Sequence, residues 1–372
     1  MEKLYLDHNA SSPARPEVIA AMQTALLTPG NASAPHGYGR AARTLVENAR
    51  EAVALAMGVC AQDIVFTGSG SESVNTAVHS AVQHGTKRLL VSSMDHPASF
   101  KMAEASGVRT DFIPANEHGR LDIDWLGETL RSWDLAHGRP FVAMVAANSE
   151  TGVLQDVERA TELVHAAGGL ILIDAVQALG KIPMTFMPDY LAVSAHKIGG
   201  PQGVGALHVA EGAPFASLMI GGGQEKRRRA GTLNVAGIAG FGAAAKLAEN
   251  LDHTRAIRDA IEASIKAMEP HVTIFGAGAP RLPNTCFFAV PDMASSTIMM
   301  ALDLEGISVS TGLACSSGKT GASRAVTAMG LADKAPKGAI RISLGYTSTP
   351  ADADKFLHAW AKIRRIAYQG AA

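Results

Sequence analysis

Four polar clusters in this chain each stand directly behind an apolar run, and each carries a residue type able to do chemistry. Gly68-Ser69-Gly70-Ser71-Glu72-Ser73 follows residues 64–67. Amides and hydroxyls in such a turn, at the start of a helix, can hold a phosphate, although most Gly/Ser turns before helices are structural caps. The turn has neither the lysine of a P-loop nor the spacing of a dinucleotide fingerprint. Met94-Asp95-His96-Pro97 follows residues 89–93 and sets one imidazole beyond a strand end, a place more often filled by a hydrogen-bonded loop histidine. Asp174, with Gln177 three residues on, ends the run 170–173. A carboxylate there is expensive to bury without a partner; a helix cap and a functional acid both fit. Ala195-His196-Lys197 follows residues 190–194 and leads into Gly199-Gly200-Pro201-Gln202-Gly203. Most lysines are solvated surface charges, but desolvation lowers the pKa of an amine and makes it a nucleophile toward carbonyls.

A phosphate cradle, an acid, a lysine and a flat imidazole are together what pyridoxal phosphate requires of a protein. The acid keeps the pyridine nitrogen protonated, the lysine carries the cofactor as a Schiff base, and the imidazole stacks on the ring. The 23 positions from Asp174 to Lys197 leave room for one helix and one strand, which returns both residues to one sheet edge.

Positioning these clusters falls to alternating elements. From about residue 45 to 245, β-rich runs at 64–67, 89–92, 141–146, 170–174 and 190–194 alternate with amphipathic segments such as 157–167. This predicts an α/β domain with a largely parallel sheet covered on both faces, in which ligands sit outside the carboxyl ends of the strands. Beyond about residue 250, helical patterns at 252–268, at 296–305 and from Ala351 mix with strand-like 284–290, 307–310 and 339–344. That texture predicts a smaller α+β domain, against which the first dozen residues pack. Boundaries at 14–250 for the large domain, and 1–13 with 251–372 for the small one, suit a chain of 372 residues.

Composition excludes several function classes. A net charge of -1 creates no global field for nucleic acid or an anionic membrane. The start of the chain has no secretory pattern, and no run approaches the roughly 18 apolar residues of a membrane-spanning helix. Cys60, Cys286 and Cys315 are too few and too scattered for a disulfide framework or a zinc site, so no metal is expected and a reducing cytoplasm is. Cys60 and Cys286, with apolar or strand-like neighbours, read as structural. Cys315 stands among Gly, Ser and Thr in Ser310-Thr311-Gly312-Leu313-Ala314-Cys315-Ser316-Ser317-Gly318, a composition that suits an exposed loop.

The chain resembles the cysteine desulfurase family, in the class-V aminotransferase group of fold-type-I pyridoxal-phosphate enzymes. The resemblance begins at Tyr5-Leu6-Asp7-His8-Asn9-Ala10-Ser11-Ser12-Pro13 and Gly30-Asn31-Ala32-Ser33. It continues through residues 66–73, Asn148-Ser149-Glu150-Thr151-Gly152-Val153, Asp174-Ala175-Val176-Gln177 and Ser194-Ala195-His196-Lys197. Gly221-Gly222-Gly223-Gln224-Glu225, Arg229-Ala230-Gly231-Thr232, the Cys315 loop and residues 340–345 complete it.

What the resemblance implies is a three-layer α/β/α large domain with a mainly parallel mixed sheet, a smaller α+β domain, and removal of sulfur from L-cysteine. Lys197 would bind the cofactor covalently, Asp174 would pair with the ring nitrogen, Gln177 would contact the phenolic oxygen, and His96 would stack on the ring and carry protons. Gly70, Ser71, Ser194 and His196 would hold the phosphate, with Thr232 reaching the phosphate of the neighbouring subunit in a homodimer. Arg341, helped by Asn31, would grip the substrate carboxylate as a fork. Cys315 would receive the sulfur as a persulfide for an acceptor such as an iron–sulfur scaffold protein. The chain departs from the family pattern at Ser149, where a second asparagine is usual and contacts the ring oxygen, at Ser11-Ser12 in place of paired threonines, and at Gly321-Ala322-Ser323-Arg324. Rival readings are a selenocysteine lyase or a class-V aminotransferase needing no thiol, which Cys315 opposes. A nucleotide-binding dehydrogenase lacks its fingerprint, and a nucleic-acid module would rest only on Lys226-Arg227-Arg228-Arg229.

Overall fold

A computed structural model describes residues 3–311 and 322–370, with side chains to residue 366. The strands are β1 (Leu4–Tyr5), β2 (Ile64–Thr67), β3 (Arg88–Ser92), β4 (Arg109–Ile113), β5 (Phe141–Val145), β6 (Leu170–Asp174), β7 (Tyr190–Ser194) and β8 (Gly205–Val209), then β9 (Thr273–Ile274), β10 (Thr285–Ala289), β11 (Ile307–Ser308), β12 (Ser310–Thr311) and β13 (Ile340–Ser343). The helices are α1 (Pro16–Leu27), α2 (Gly37–Met57), α3 (Gly70–Gln83), α4 (Pro97–Ala105), α5 (Ile123–Arg131), α6 (Val157–Ala166), α7 (Val235–Lys246), α8 (His253–Met268), α9 (Ser295–Leu304), α10 (Arg324–Ala328) and α11 (Pro350–Gly370).

Seven strands form one sheet in the order β2-β8-β7-β6-β5-β3-β4. Only β8 runs against the others, since it is antiparallel to both β2 and β7. Alternate residues of each strand enter different cores. Leu90, Val142, Ile171, Ile173, Leu191 and Val193 pack with residues of α2, α5, α6 and α7. Leu89, Val91, Phe141, Leu170, Leu172 and Tyr190 pack with Val74, Ala77, Val78 and Ala81 of α3 and Ala103 of α4. Burial on both faces is why these strands read as unbroken apolar runs, and it makes the three-layer arrangement.

The smaller sheet has the order β12-β13-β10-β9, and β1 pairs in parallel with β11. Leu6, Phe288, Ile340, Ile342, Phe356 and Trp360 share its core, so the N-terminal segment does pack there. Phe275, Phe287, Val326 and Met329 belong instead to the core that also holds α2 and α7.

The connection from β6 to β7 departs from expectation. No helix forms between residues 175 and 189; a turn covers residues 176–181 and the rest is irregular. Gly180 adopts φ +68, and Pro183 and Pro188 withhold the amides that a helix needs. Strand β8 was not foreseen, its five residues being hidden behind a glycine-rich turn. A Cβ at Gly205, where β8 begins, would lie 2.5 Å from the carbonyl carbon of Ser69. The reversed strand therefore sits directly against the turn that opens α3. Gly205→Ala is expected to cost about 1–3 kcal/mol by overpacking, read as a lower urea midpoint; an unchanged midpoint would show that the turn gives way freely.

Candidate active site

The carboxyl ends of β2, β3, β6 and β7 lie along one edge of the large sheet, and the four polar clusters lie there with them. Asp174 is the last residue of β6 and is 7% exposed. Its Oδ1 accepts from the Val176 amide at 2.9 Å. Burial raises the carboxyl above the usual range, while that amide, His96 and Lys197 act in the opposite direction.

His96 caps α4, its Nδ1 accepting from the Ala98 amide at 3.2 Å. The proton of the neutral ring therefore sits on Nε2. Burial lowers the His96 pKa; Asp174 opposes this and Lys197 adds to it. Lys197 ends the single 3-10 turn that follows β7, and its Nζ donates to the carbonyls of Asn9 at 2.6 Å and Ala10 at 2.8 Å. His196, beside it, is paired with Ser11 Oγ at 3.4 Å. Burial, Lys197 and Lys181 push its imidazole down to about 4.

The phosphate-type turn is built as a cap with open amides. Ser69 Oγ accepts from Glu72 N at 3.2 Å, and Glu72 Oε2 accepts from Gly68 N at 2.7 Å, a reciprocal arrangement akin to a capping box. A Cβ on Gly70 would lie 2.6 Å from Val176 Cγ2 and 3.5 Å from Ser194 Cβ. The first turn of α3 is thus pressed against the loop behind Asp174 and the end of β7. Ser71 follows it at the surface.

Arg341 joins this set from the small sheet. Its Nη2 donates to Asp7 Oδ1 at 2.6 Å and its Nη1 to the Ser149 carbonyl at 3.0 Å, while the buried Nε has no partner among the described residues. The fork is therefore already held by internal acceptors, with hydrogens to spare. Ser149 enters through its main chain, accepting also from Asn9 Nδ2 at 3.3 Å.

Two expected contributors stand apart. Asn31 is exposed and turned on itself, its Oδ1 accepting from Ser33 N at 2.9 Å; among the described residues no hydrogen bond joins it to Arg341. Thr232 is exposed. It follows a segment in which Glu225, Lys226 and Arg227 have φ of 47, 56 and 68. The basic run is half internal: Arg228 donates to the Gln62 and Ile64 carbonyls, and Arg229 pairs with Glu72 at 2.9 Å. Cys315 lies outside the described residues. Cys286 is buried as expected, but Cys60 is exposed, so packing does not account for it; it precedes the short 3-10 turn at Ala61–Asp63.

Sequence reasoning passed over four polar residues around this edge, three buried and Glu150 half-buried. Asn9 bonds Lys197, Gln177, Lys181, Ser149 and Thr285. Lys181 is 2% exposed; burial, Lys197 and Arg341 push its ammonium well below the usual lysine value. Asp95, between Met94 and His96, accepts from the Val145 amide at 2.8 Å through Oδ1 and leaves Oδ2 unpartnered among the described residues. Burial and Asp174 push it up to about 8. Glu150 is likewise raised to about 7 by burial. The one sequence signal was a charged residue inside an otherwise apolar or small-residue stretch, as at Lys181.

The aminotransferase class-V family profile matches residues 4–356. The chain is 40% identical to a cysteine desulfurase of Cereibacter sphaeroides over 96% of its own length and 94% of that protein. It is 38% identical to one of Rhodobacter capsulatus over 95% and 94%. Among solved structures, a NifS-like protein from Rickettsia africae superposes with a TM-score of 0.89 at 31% identity, covering 98% of this chain and 100% of that one.

The buried acids give a pH signature. An acid whose folded pKa is raised binds its proton more tightly folded than unfolded, so stability is lost as pH rises from its ordinary value through the raised one. For Asp95 that window runs from about 4 to about 8. His8 and His196, both lowered to about 4, act with the opposite sign but only below about pH 6.5. Between pH 6.5 and 8, Asp95→Asn is therefore expected to remove on the order of 2 kcal/mol of the apo-protein's stability loss. Urea midpoints of the two proteins across that range check it, and parallel curves would refute it. With that edge and those relatives in view, the chain belongs to the class-V aminotransferase family and, within it, to the cysteine desulfurases.

Proposed function

We propose that this chain is a pyridoxal-phosphate-dependent cysteine desulfurase that converts L-cysteine to L-alanine and leaves the sulfur as a persulfide on Cys315. The observation that carries the reading is the meeting of a buried acid, Asp174, with His96 and Lys197 outside the carboxyl ends of parallel strands. The residues fit the cofactor. A carboxylate raised by burial lacks a full countercharge, which a protonated ring nitrogen provides; the close-packed start of α3 at Gly70 offers amides to a phosphate. Bound there, pyridoxal phosphate supplies an aldehyde for the substrate nitrogen and a ring that withdraws electrons from Cα.

Each residue then has a task. Lys197 holds the cofactor at rest, and its amine takes and returns the Cα proton. Asp174 fixes the charge of the ring nitrogen, Gln177 and Ser149 face the ring oxygen, and His96 covers the ring. Gly70, Ser71, Ser194 and His196 hold the phosphate, with Thr232 reaching the second site of a homodimer. Arg341 binds the substrate carboxylate with its remaining hydrogens, and Asn31 assists on substrate binding. The Cys315 thiolate attacks the substrate sulfur: the new S–S bond forms, the C–S bond breaks, and the electron pair left on Cβ takes a proton to become the methyl of alanine. His96 relays protons between the thiols. The persulfide passes to an acceptor of the iron–sulfur scaffold kind in the cytoplasm. No helix among the described residues is long and apolar enough to cross a membrane. Residues 14–250 form the cofactor-binding domain, and 1–13 with 251–372 the domain carrying the cysteine loop.

Two variants separate the roles. Lys197→Ala should abolish both turnover and the visible absorbance that develops when pyridoxal phosphate is added to the apo-protein; surviving sulfide production would remove Lys197 from the reaction. Cys315→Ala should keep the absorbance but form no protein persulfide from cysteine, and full desulfurase activity in that variant would place the protein in another reaction class.

A further inference from the structure

Lys181 is a buried amine that the reaction above does not use. Its Nζ donates to Asn9 Oδ1 at 2.7 Å and to Gln177 Oε1 at 2.5 Å. It does so in a neighbourhood that already contains Lys197 and Arg341, where a further buried cation is costly. The cost brings a definite hydrogen-bond order. Asn9 is engaged at every polar atom: its amide donates to Ser343 Oγ and its Nδ2 to Thr285 Oγ1, each at 2.9 Å, while Oδ1 also accepts from Asn284 Nδ2 at 3.2 Å. Its carbonyl accepts from Lys197 Nζ and, at 2.9 Å, from Gln177 Nε2.

The amide of Gln177 is therefore gripped from both ends. A main-chain carbonyl only accepts, so the nitrogen of Gln177 must face Asn9. Lys181 faces two oxygens and donates to both, so the oxygen of Gln177 must face Lys181. One N–H remains on the nitrogen, and it is a donor only. We infer that Lys181 is a positioning residue that holds Gln177 in the sense in which it can only donate toward the site, selecting a deprotonated ring oxygen as the group seated there. The inference rests on the reading that pyridoxal phosphate binds at this edge.

Titration of apo-proteins with pyridoxal phosphate, followed by visible absorbance, tests it. In the wild-type background Lys181→Met, of similar length and without a donor, should weaken cofactor affinity about tenfold, the worth of one well-made hydrogen bond, and shift the absorbance band. In a Gln177→Met background the same substitution should change affinity less than about twofold, because coupled residues are not additive. An equal loss in both backgrounds, or none in the first, overturns the inference. Gln177→Glu keeps Lys181 and removes the donor, so it should bind the cofactor more weakly than Gln177→Met; binding as tight as wild type overturns the assignment independently of how Lys181→Met folds. A wild-type apo-protein that acquires no absorbance would instead sink the cofactor reading, and this inference with it.

Discussion

Burying the Asp174 carboxylate at the end of an apolar strand is the constraint around which this edge of the molecule is organised. All five residues of β6 are buried, so water does not solvate the acid as it would at a surface. Left alone, such a group would simply take up a proton. What opposes that is assembled from three directions: the Val176 amide from the following turn, His96 from the start of α4, and Lys197 from the turn after β7. Parallel strands make this possible, because their carboxyl ends, and the loops behind them, all open on the same side. Asp95 shows the alternative outcome two strands away, beyond β5. With burial the dominant influence and Asp174 as a like-charged neighbour, its carboxyl rises to about 8 and stays largely protonated at neutral pH.

The second organising device is the N-terminal segment, which ties the two sheets together through polar atoms. Asn9 reaches Ser343 and Thr285 on the small sheet, and Gln177, Lys181 and Lys197 behind the large one. Asp7 adds an ion pair to Arg341 on β13. In such a buried network each unsatisfied member costs about 1–3 kcal/mol, so displacing the segment disturbs both sheets at once. The amine of Lys197 is thereby placed relative to Arg341 by a single short stretch of chain.

How much of this was legible follows from the range of the contacts. The strand ends were legible because burial on both faces leaves an apolar run, and a polar residue that ends or follows it is conspicuous at once, as at Asp174 and Lys197. The helix starting at Gly70 was legible from the Gly/Ser turn that opens it, and the structure shows Ser69 and Glu72 closing its cap. Asn9 was not, because its partners lie up to 275 residues away, and nothing local distinguishes it from a loop polar group; Lys181 carried only the weak signal of a charge within a small-residue, apolar stretch. The helix expected between Asp174 and Lys197 failed for a local reason, prolines and a left-handed glycine, yet the two residues still meet, because the parallel pairing of β6 with β7 does not depend on what connects them.

The turn at Glu225, Lys226 and Arg227 shows the same economy applied to the backbone. Three successive side-chain-bearing residues in the left-handed region cost roughly 1–2 kcal/mol each. Against this stands the Glu225 carboxylate, buried and paired with Arg50 at 2.7 and 2.9 Å and accepting from the Phe66 amide at 2.8 Å. Removing one partner from a buried pair costs up to about 3–5 kcal/mol, although here Arg50 would keep Glu47 at 3.0 Å. The backbone cost is thus offset by the Arg50 and Phe66 contacts that the Glu225 carboxylate makes only in this conformation. The segment leading to Thr232 is therefore fastened to α2 and β2 by an ion pair rather than by hydrophobic packing, and its exposed residues can face outward from a rigid base.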